Sequence, residues 1–180
     1  MKFFLNTFII SICSICGIAN AWNQVGLDIA GSFREDEFGD AVAINYDGTI
    51  IAAGAPQDSD EGYVKVFEWN SLSASWDQLG STLIGESPED MFGEAISLSS
   101  NGTILAVGAR MNDGVATNAG HIRVFQFDGS DWTQMGSDID GTGEKDTLGT
   151  SLALSGDGSR LVAGAPWSWR MEVRSWLLLL

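Results

Sequence analysis

Residues 38–56 read Phe38-Gly-Asp-Ala-Val-Ala-Ile-Asn-Tyr-Asp-Gly-Thr-Ile-Ile-Ala-Ala-Gly-Ala-Pro56. The stretch returns from Phe92-Gly93 to Gly108-Ala109-Arg110, and from Leu148-Gly149 to Gly164-Ala165-Pro166. A second marker keeps the same steps of 54 and 56 residues: Trp22-Asn-Gln-Val-Gly26, Trp76-Asp-Gln-Leu-Gly80 and Trp132-Thr-Gln-Met-Gly136. A period of this size means stacked copies of one supersecondary unit, none of which can bury its own apolar face.

Inside each unit the apolar period is two. Residues 41–44, 95–98 and 151–154 alternate small and large side chains, which predicts strands packed in a crowded layered core. The turns Asn45-Tyr-Asp-Gly48, Ser99-Ser-Asn-Gly102 and Ser155-Gly-Asp-Gly158 predict tight hairpins with positive φ at both central positions. Second strands over 50–53, 104–107 and 161–163 each close on Gly-Ala, where glycine points to a close backbone approach. Third strands are expected over 62–67 and 120–125, and the Trp-x-Gln-x-Gly segments, including Trp22 to Ile29, read as fourth strands at an outer edge.

The expected fold class is all-β, with β-propeller blades of four antiparallel strands. The strands read from the sequence number one before the first full unit, then four, four and two. Eleven strands are too few for a closed ring, so the expectation is an incomplete ring or open arc. Self-association to complete a propeller, or a truncated gene product, would account for the shortfall.

Residues 1–21 carry the pattern of a cleaved signal peptide: Lys2, an apolar run from Phe3 to Ile18, and the small-x-small site Ala19-Asn20-Ala21. Secretion is therefore expected, with cleavage after Ala21. Both cysteines, Cys13 and Cys16, fall in the leader. The repeats occupy 22–166, with units about 32–84, 85–140 and a partial 141–166. Residues 167–180 form an atypical tail, too short and too charged for a membrane span, in which 171–176 reads as a degenerate third strand.

The chain holds 24 acidic and 9 basic residues, a net charge of −15. Without a Lys/Arg cluster, nucleic acid and anionic lipid are disfavoured partners. No G-x-S-x-G elbow, P-loop or H-E-x-x-H occurs, so an enzyme is not expected. His121 is the single histidine, which rules out a multi-histidine metal site, and as the counterpart of Tyr63 it reads as a surface aromatic position. Asp36, Asp90 and Asp146 each stand two residues before Phe38, Phe92 or Leu148. Repetition at one offset points to a structural role, accepting backbone hydrogen bonds in the turn between blades. Asn101-Gly-Thr103 is a glycosylation sequon on an exposed hairpin tip.

Taken together, Phe-Gly, the Asp-Gly turn and Gly-Ala-Pro at fixed offsets resemble the FG-GAP repeat, the blade unit of the integrin alpha-subunit propeller. Kelch repeats fit less well because the glycine doublet is missing, and the period exceeds the WD40 range. The resemblance implies a secreted, non-enzymatic binding or adhesion module for an extracellular protein or glycan ligand. A carbohydrate-active enzyme using loop carboxylates is the alternative. The family's calcium loop, D-x-[DN]-x-D-G-x-x-D, is poorly kept: the first unit has Asn45 and Asp47 but Ala43 and Ile51 at its ends. No cofactor is expected, and the weak calcium candidates are Asn45, Asp47, Asp138 and Asp140.

Overall fold

The structure, a computed structural model, describes residues 23–57, 60–167 and 176–179. The proposed leader with its two cysteines lies outside the described residues, as do Asp58, Ser59 and residues 168–175. Each alternating run forms a strand. The first unit contains β1 (Ala41–Ile44), β2 (Ile50–Ala55), β3 (Tyr63–Asn70), β4 (Ser75–Gln78) and a short β5 (Leu83–Ile84). The second contains β6 (Phe92–Leu98), β7 (Ile104–Ala109), β8 (His121–Phe127), β9 (Trp132–Gln134) and β10 (Ile139–Asp140). The third contains β11 (Ser151–Leu154), β12 (Arg160–Gly164) and β13 (Trp176–Leu179).

The first sheet runs β1-β2-β3-β4 antiparallel, with β5 pairing β3 beyond the end of β4. The second repeats this plan, β9 and β10 both pairing β8. These are propeller-type blades, and neighbouring units follow chain order in an open arc, β6 lying on β1 and β2 and β11 on β6 and β7. Among the described residues no helix is long and apolar enough to cross a membrane.

Both faces of a middle blade are covered, which explains the near-continuous apolar run of β7. Leu105 and Val107 face the first unit, in a core with Val64, Val66 and Phe92. Ala106 points the other way, joining Ile122 and Val124 against Leu148 and Leu161 of the third unit. On the far side of the first unit, Val42 and Ile44 stay 72% and 62% exposed, although their counterparts Ile96 and Leu98 pack on a neighbour.

The glycines of the repeat act between units. A Cβ on Gly54 would fall on the carbonyl oxygen of Gly93, and one on Gly108 on that of Gly149. Each Phe-Gly or Leu-Gly backbone thus seats on the Gly-Ala of the unit before it, and the seating glycines hold φ of 100° and 96°. Other bonds recur with the same step. Trp76 Nε1 donates to Val25 O at 3.0 Å and Trp132 Nε1 to Leu79 O at 2.9 Å. Tyr46 N donates to Ser100 O at 3.0 Å and Ser100 N to Gly156 O at 2.7 Å.

Two expectations are corrected. The hairpins are not two-residue turns: positive φ occurs at Gly48, Gly102 and Gly158 alone. Asn45 N bonds Ile50 O at 2.9 Å across a four-residue loop, because Asp47 Oδ1 accepts from Thr49 N and fixes a wider turn. Residues 23–29 form no strand; a fourth strand needs a third to pair with, and this segment is held instead by the Trp76 bond and by Gln24 Nε2 donating to Asp28. The third unit has a third strand over 176–179, pairing Arg160 with Leu179 and Ala163 with Trp176, whereas residues 171–175 of the expected strand lie outside the described residues.

Candidate functional site

Buried aspartates at one repeat position are the natural starting point, because a desolvated carboxylate must find donors. Asp36, Asp90 and Asp146 are all 6% exposed. Asp36 accepts from Ser32 N (2.7 Å), Phe33 N (3.0 Å), Phe38 N (3.2 Å) and the Tyr63 hydroxyl. Burial pushes its carboxyl up, but the Tyr63 hydroxyl and the backbone amides outweigh burial and hold it below the usual range. Asp146 accepts from Thr142 N at 3.0 Å and Thr142 Oγ1 at 3.1 Å. The expected backbone-accepting role therefore describes these two loops.

Asp90 departs from it. Among the described residues its side chain accepts from Asn112 Nδ2 alone, at 2.8 Å, and burial raises its carboxyl above the usual range. Histidine stands where the first unit has Tyr63. Here the surface position expected for His121 is corrected: it is 1% exposed, at a repeat position that is also buried in the first unit, where Tyr63 is 6% exposed. Both ring nitrogens lack a hydrogen-bond partner. Burial, and next the charge of Arg123, lower its pKa.

Around His121 the second unit gathers groups from four stretches of chain. Arg123, two residues along β8, donates Nε to both carboxylate oxygens of Asp138 at 3.2 Å and Nη2 to Oδ2 at 3.1 Å. The same Nη2 pairs with Glu86. Gln134 Nε2 donates to Asp138 Oδ1 at 2.6 Å, and Asn112 Nδ2 reaches Glu86 Oε2 at 3.4 Å. Burial raises the Asp138 carboxyl, but hydrogen bonds from Arg123 and Gln134 lower it further, for a net decrease. Glu86, His121 and Asp138 bring one ligand atom each within 4.8 Å of one another.

In the first unit the strand registers place Tyr63, Lys65 and Thr82 where the second has His121, Arg123 and Asp138. Ser32 stands where Glu86 does in the loop before Phe-Gly. There Gln78 Nε2 donates to Thr82 Oγ1 at 3.2 Å, and Lys65 lies over the rings of Tyr63 and Phe38. The cluster is a replacement of four side chains on a repeated frame.

The sequence-selected calcium candidates fall in two places. Asn45 and Asp47 lie in the first hairpin, where Asn45 Oδ1 accepts from Thr49 N and Ile50 N, and Asp47 Oδ1 from Thr49. Asp138 belongs to the second-unit cluster, and Asp140, on β10 opposite His121, contributes charge beside it. Asn101 is exposed, its Oδ1 accepting from Thr103 N and Oγ1. Sequence reading did not single out Glu86, Asn112 or Arg123. Aligning the units column by column would have flagged Glu86 and Arg123, since each differs in charge or geometry from its counterpart.

A separate cavity of about 240 Å³ lies between the second and third units, lined by Ile122, Ile139, Leu148, Leu161 and Ala163. The matching space between the first two units is filled by Phe92 and Val107, where the third unit has Leu148 and Ala163.

No family model and no curated protein matches the chain. Among solved structures it is similar to the WD40 repeats of RRP9, at 15% identity and a TM-score of 0.44, over 73% of this chain and 33% of that one. It is also similar to Kuenenia stuttgartiensis hydrazine synthase, at 14% identity and 0.47, over 77% and 44%. A third is a chain of the complex of KlAtg21 with the coiled-coil of AgAtg16, at 16% identity and 0.47, over 69% and 36%. The chain thus spans less than half the length of each.

Proposed function

We propose that the chain is a secreted FG-GAP-type propeller segment that works as a binding or adhesion module for an extracellular protein or glycan, without catalysis of its own. One observation carries the reading: the contacts that stack the units repeat, whereas the polar residues of the second unit's loop end do not. A rigid repeated frame frees its loops to differ, and loop ends held on such a frame are where binding residues concentrate. Glu86 and Asp138 would present negative charge to a basic or hydroxyl-rich ligand, with Arg123 orienting both carboxylates.

The test is binding of the labelled secreted protein to immobilised glycans and to cell surfaces, with polysaccharide hydrolysis measured in parallel. Saturable binding weakened by Glu86→Ala, without release of reducing sugar, is the expected result. Hydrolysis abolished by Glu86→Gln or Asp138→Asn would replace the module with the carbohydrate-active enzyme.

A further inference from the structure

We propose that Glu86, His121 and Asp138 form a site for one divalent transition-metal ion of the zinc class, and that Arg123 competes with the ion for the two carboxylates. The inference goes beyond the binding-module reading and holds whether or not the loops bind a glycan or protein.

His121 carries the argument. Buried polar side-chain atoms almost always have a partner, yet both nitrogens of this 1% exposed ring have none. Its Nδ1 is aimed at Asp138 Oδ2 across 3.7 Å, too far for a hydrogen bond. Two ligands of one tetrahedral zinc ion, each about 2.0–2.2 Å from it, stand roughly 3.3 Å apart, so this pair needs only a small contraction. The Glu86 ligand atom lies within 4.8 Å of the other two. Its side chain is exposed and sits on a loop, which supplies both the adjustment and an entry path, with the fourth position left to water.

The donor set of one nitrogen and two carboxylates suits zinc, whereas calcium takes six to eight oxygens. Outer partners are in place: Gln134 holds Asp138 at 2.6 Å and Asn112 reaches Glu86 at 3.4 Å, the kind of support that orients metal ligands. Arg123 now bridges the same carboxylates. Its guanidinium must swing outward for the ion to enter, so affinity is set by that exchange.

Calorimetric titration of the full chain with zinc chloride near neutral pH, with calcium chloride as comparison, tests the site. One equivalent of zinc is expected. Arg123→Gln should tighten binding about tenfold, and Asp138→Asn or Glu86→Gln should weaken it at least tenfold. His121→Gln should do the same, but it alters the core; the exposed Glu86→Gln variant keeps the test decisive if His121→Gln fails to fold. The proposal is overturned if neither the native chain nor Arg123→Gln takes up zinc saturably. It is equally overturned if Glu86→Gln and Asp138→Asn bind as the native chain does, or if calcium binds as tightly as zinc.

Discussion

The first and second units bury the same aspartate in the same loop and treat it oppositely. Asp36 is surrounded by three backbone N–H groups and a phenol, and its ring neighbour Tyr63 spans the gap between strand and loop. Asp90 has one amide donor, and the imidazole in place of the phenol makes no hydrogen bond. In the second unit Glu86 and Ser87 stand where Ser32 and Phe33 donate their amides in the first. A satisfied buried carboxylate rigidifies a turn; a poorly satisfied one beside an orphaned imidazole costs stability and is retained where a ligand uses it.

The largest test of that contrast is truncation of each acid. Asp36→Ala leaves the Tyr63 hydroxyl and the amides of Phe33 and Phe38 without their acceptor, and should cost about 3 kcal/mol in urea unfolding. Asp90→Ala removes a desolvated carboxylate from a single donor, and its change should stay within about 1 kcal/mol. Equal losses at the two positions would mean that both loops rest on their aspartate alike. Tyr63→Phe, which removes only the hydroxyl, should fall between, at about 1.5 kcal/mol.

The contrast extends to the interfaces. Phe92 fills the space between the first and second units, whereas Leu148 and Ala163 leave the cavity between the second and third. Phe92→Leu should cost about 1–2 kcal/mol by opening a matching void. Leu148→Phe should add about 1 kcal/mol, a rise of about 2–4 °C in the thermal midpoint for a chain of this length. A lower midpoint for Leu148→Phe would show that the cavity has the wrong shape for a ring and that overpacking dominates.

The frame was legible in the sequence because it is written in small, repeated words. The two-residue period placed β1, β2, β7 and β11 within a residue or two, and Gly54 and Gly108 announced the close approach that Gly93 and Gly149 then make. The segment 23–29 misled because it carries a fourth strand's residues with no third strand beside it among the described residues; pairing is a property of the neighbour, not of the segment. His121 misled for a related reason. Position in an alternating strand does not say which face will be covered, and this repeat position is buried in both units, at Tyr63 as at His121. Glu86 and Arg123 stand 37 residues apart in sequence, so only the fold joins them to Asp138.

The smallest expected effect is also the sharpest discriminator, because its sign differs between the two acids. In the unfolded chain both titrate near about 3.9. The folded-state value of Asp36 is lowered, so the stability it contributes is fully present above about pH 3.9 and is lost as pH falls through the depressed value. The folded-state value of Asp90 is raised by burial, so its contribution is favourable below about pH 3.9 and is lost as pH rises through the raised value. Neutral pH therefore carries a cost at Asp90 and a benefit at Asp36. Unfolding free energies of Asp36→Asn and Asp90→Asn, measured from about pH 3 to about pH 7, should diverge from the native chain in opposite directions by about 0.5 kcal/mol as pH rises. Asp36→Asn should lose ground and Asp90→Asn should gain it. Parallel curves would show that the two loops share one electrostatic environment, and that the second unit's cluster adds nothing to what the repeat already dictates.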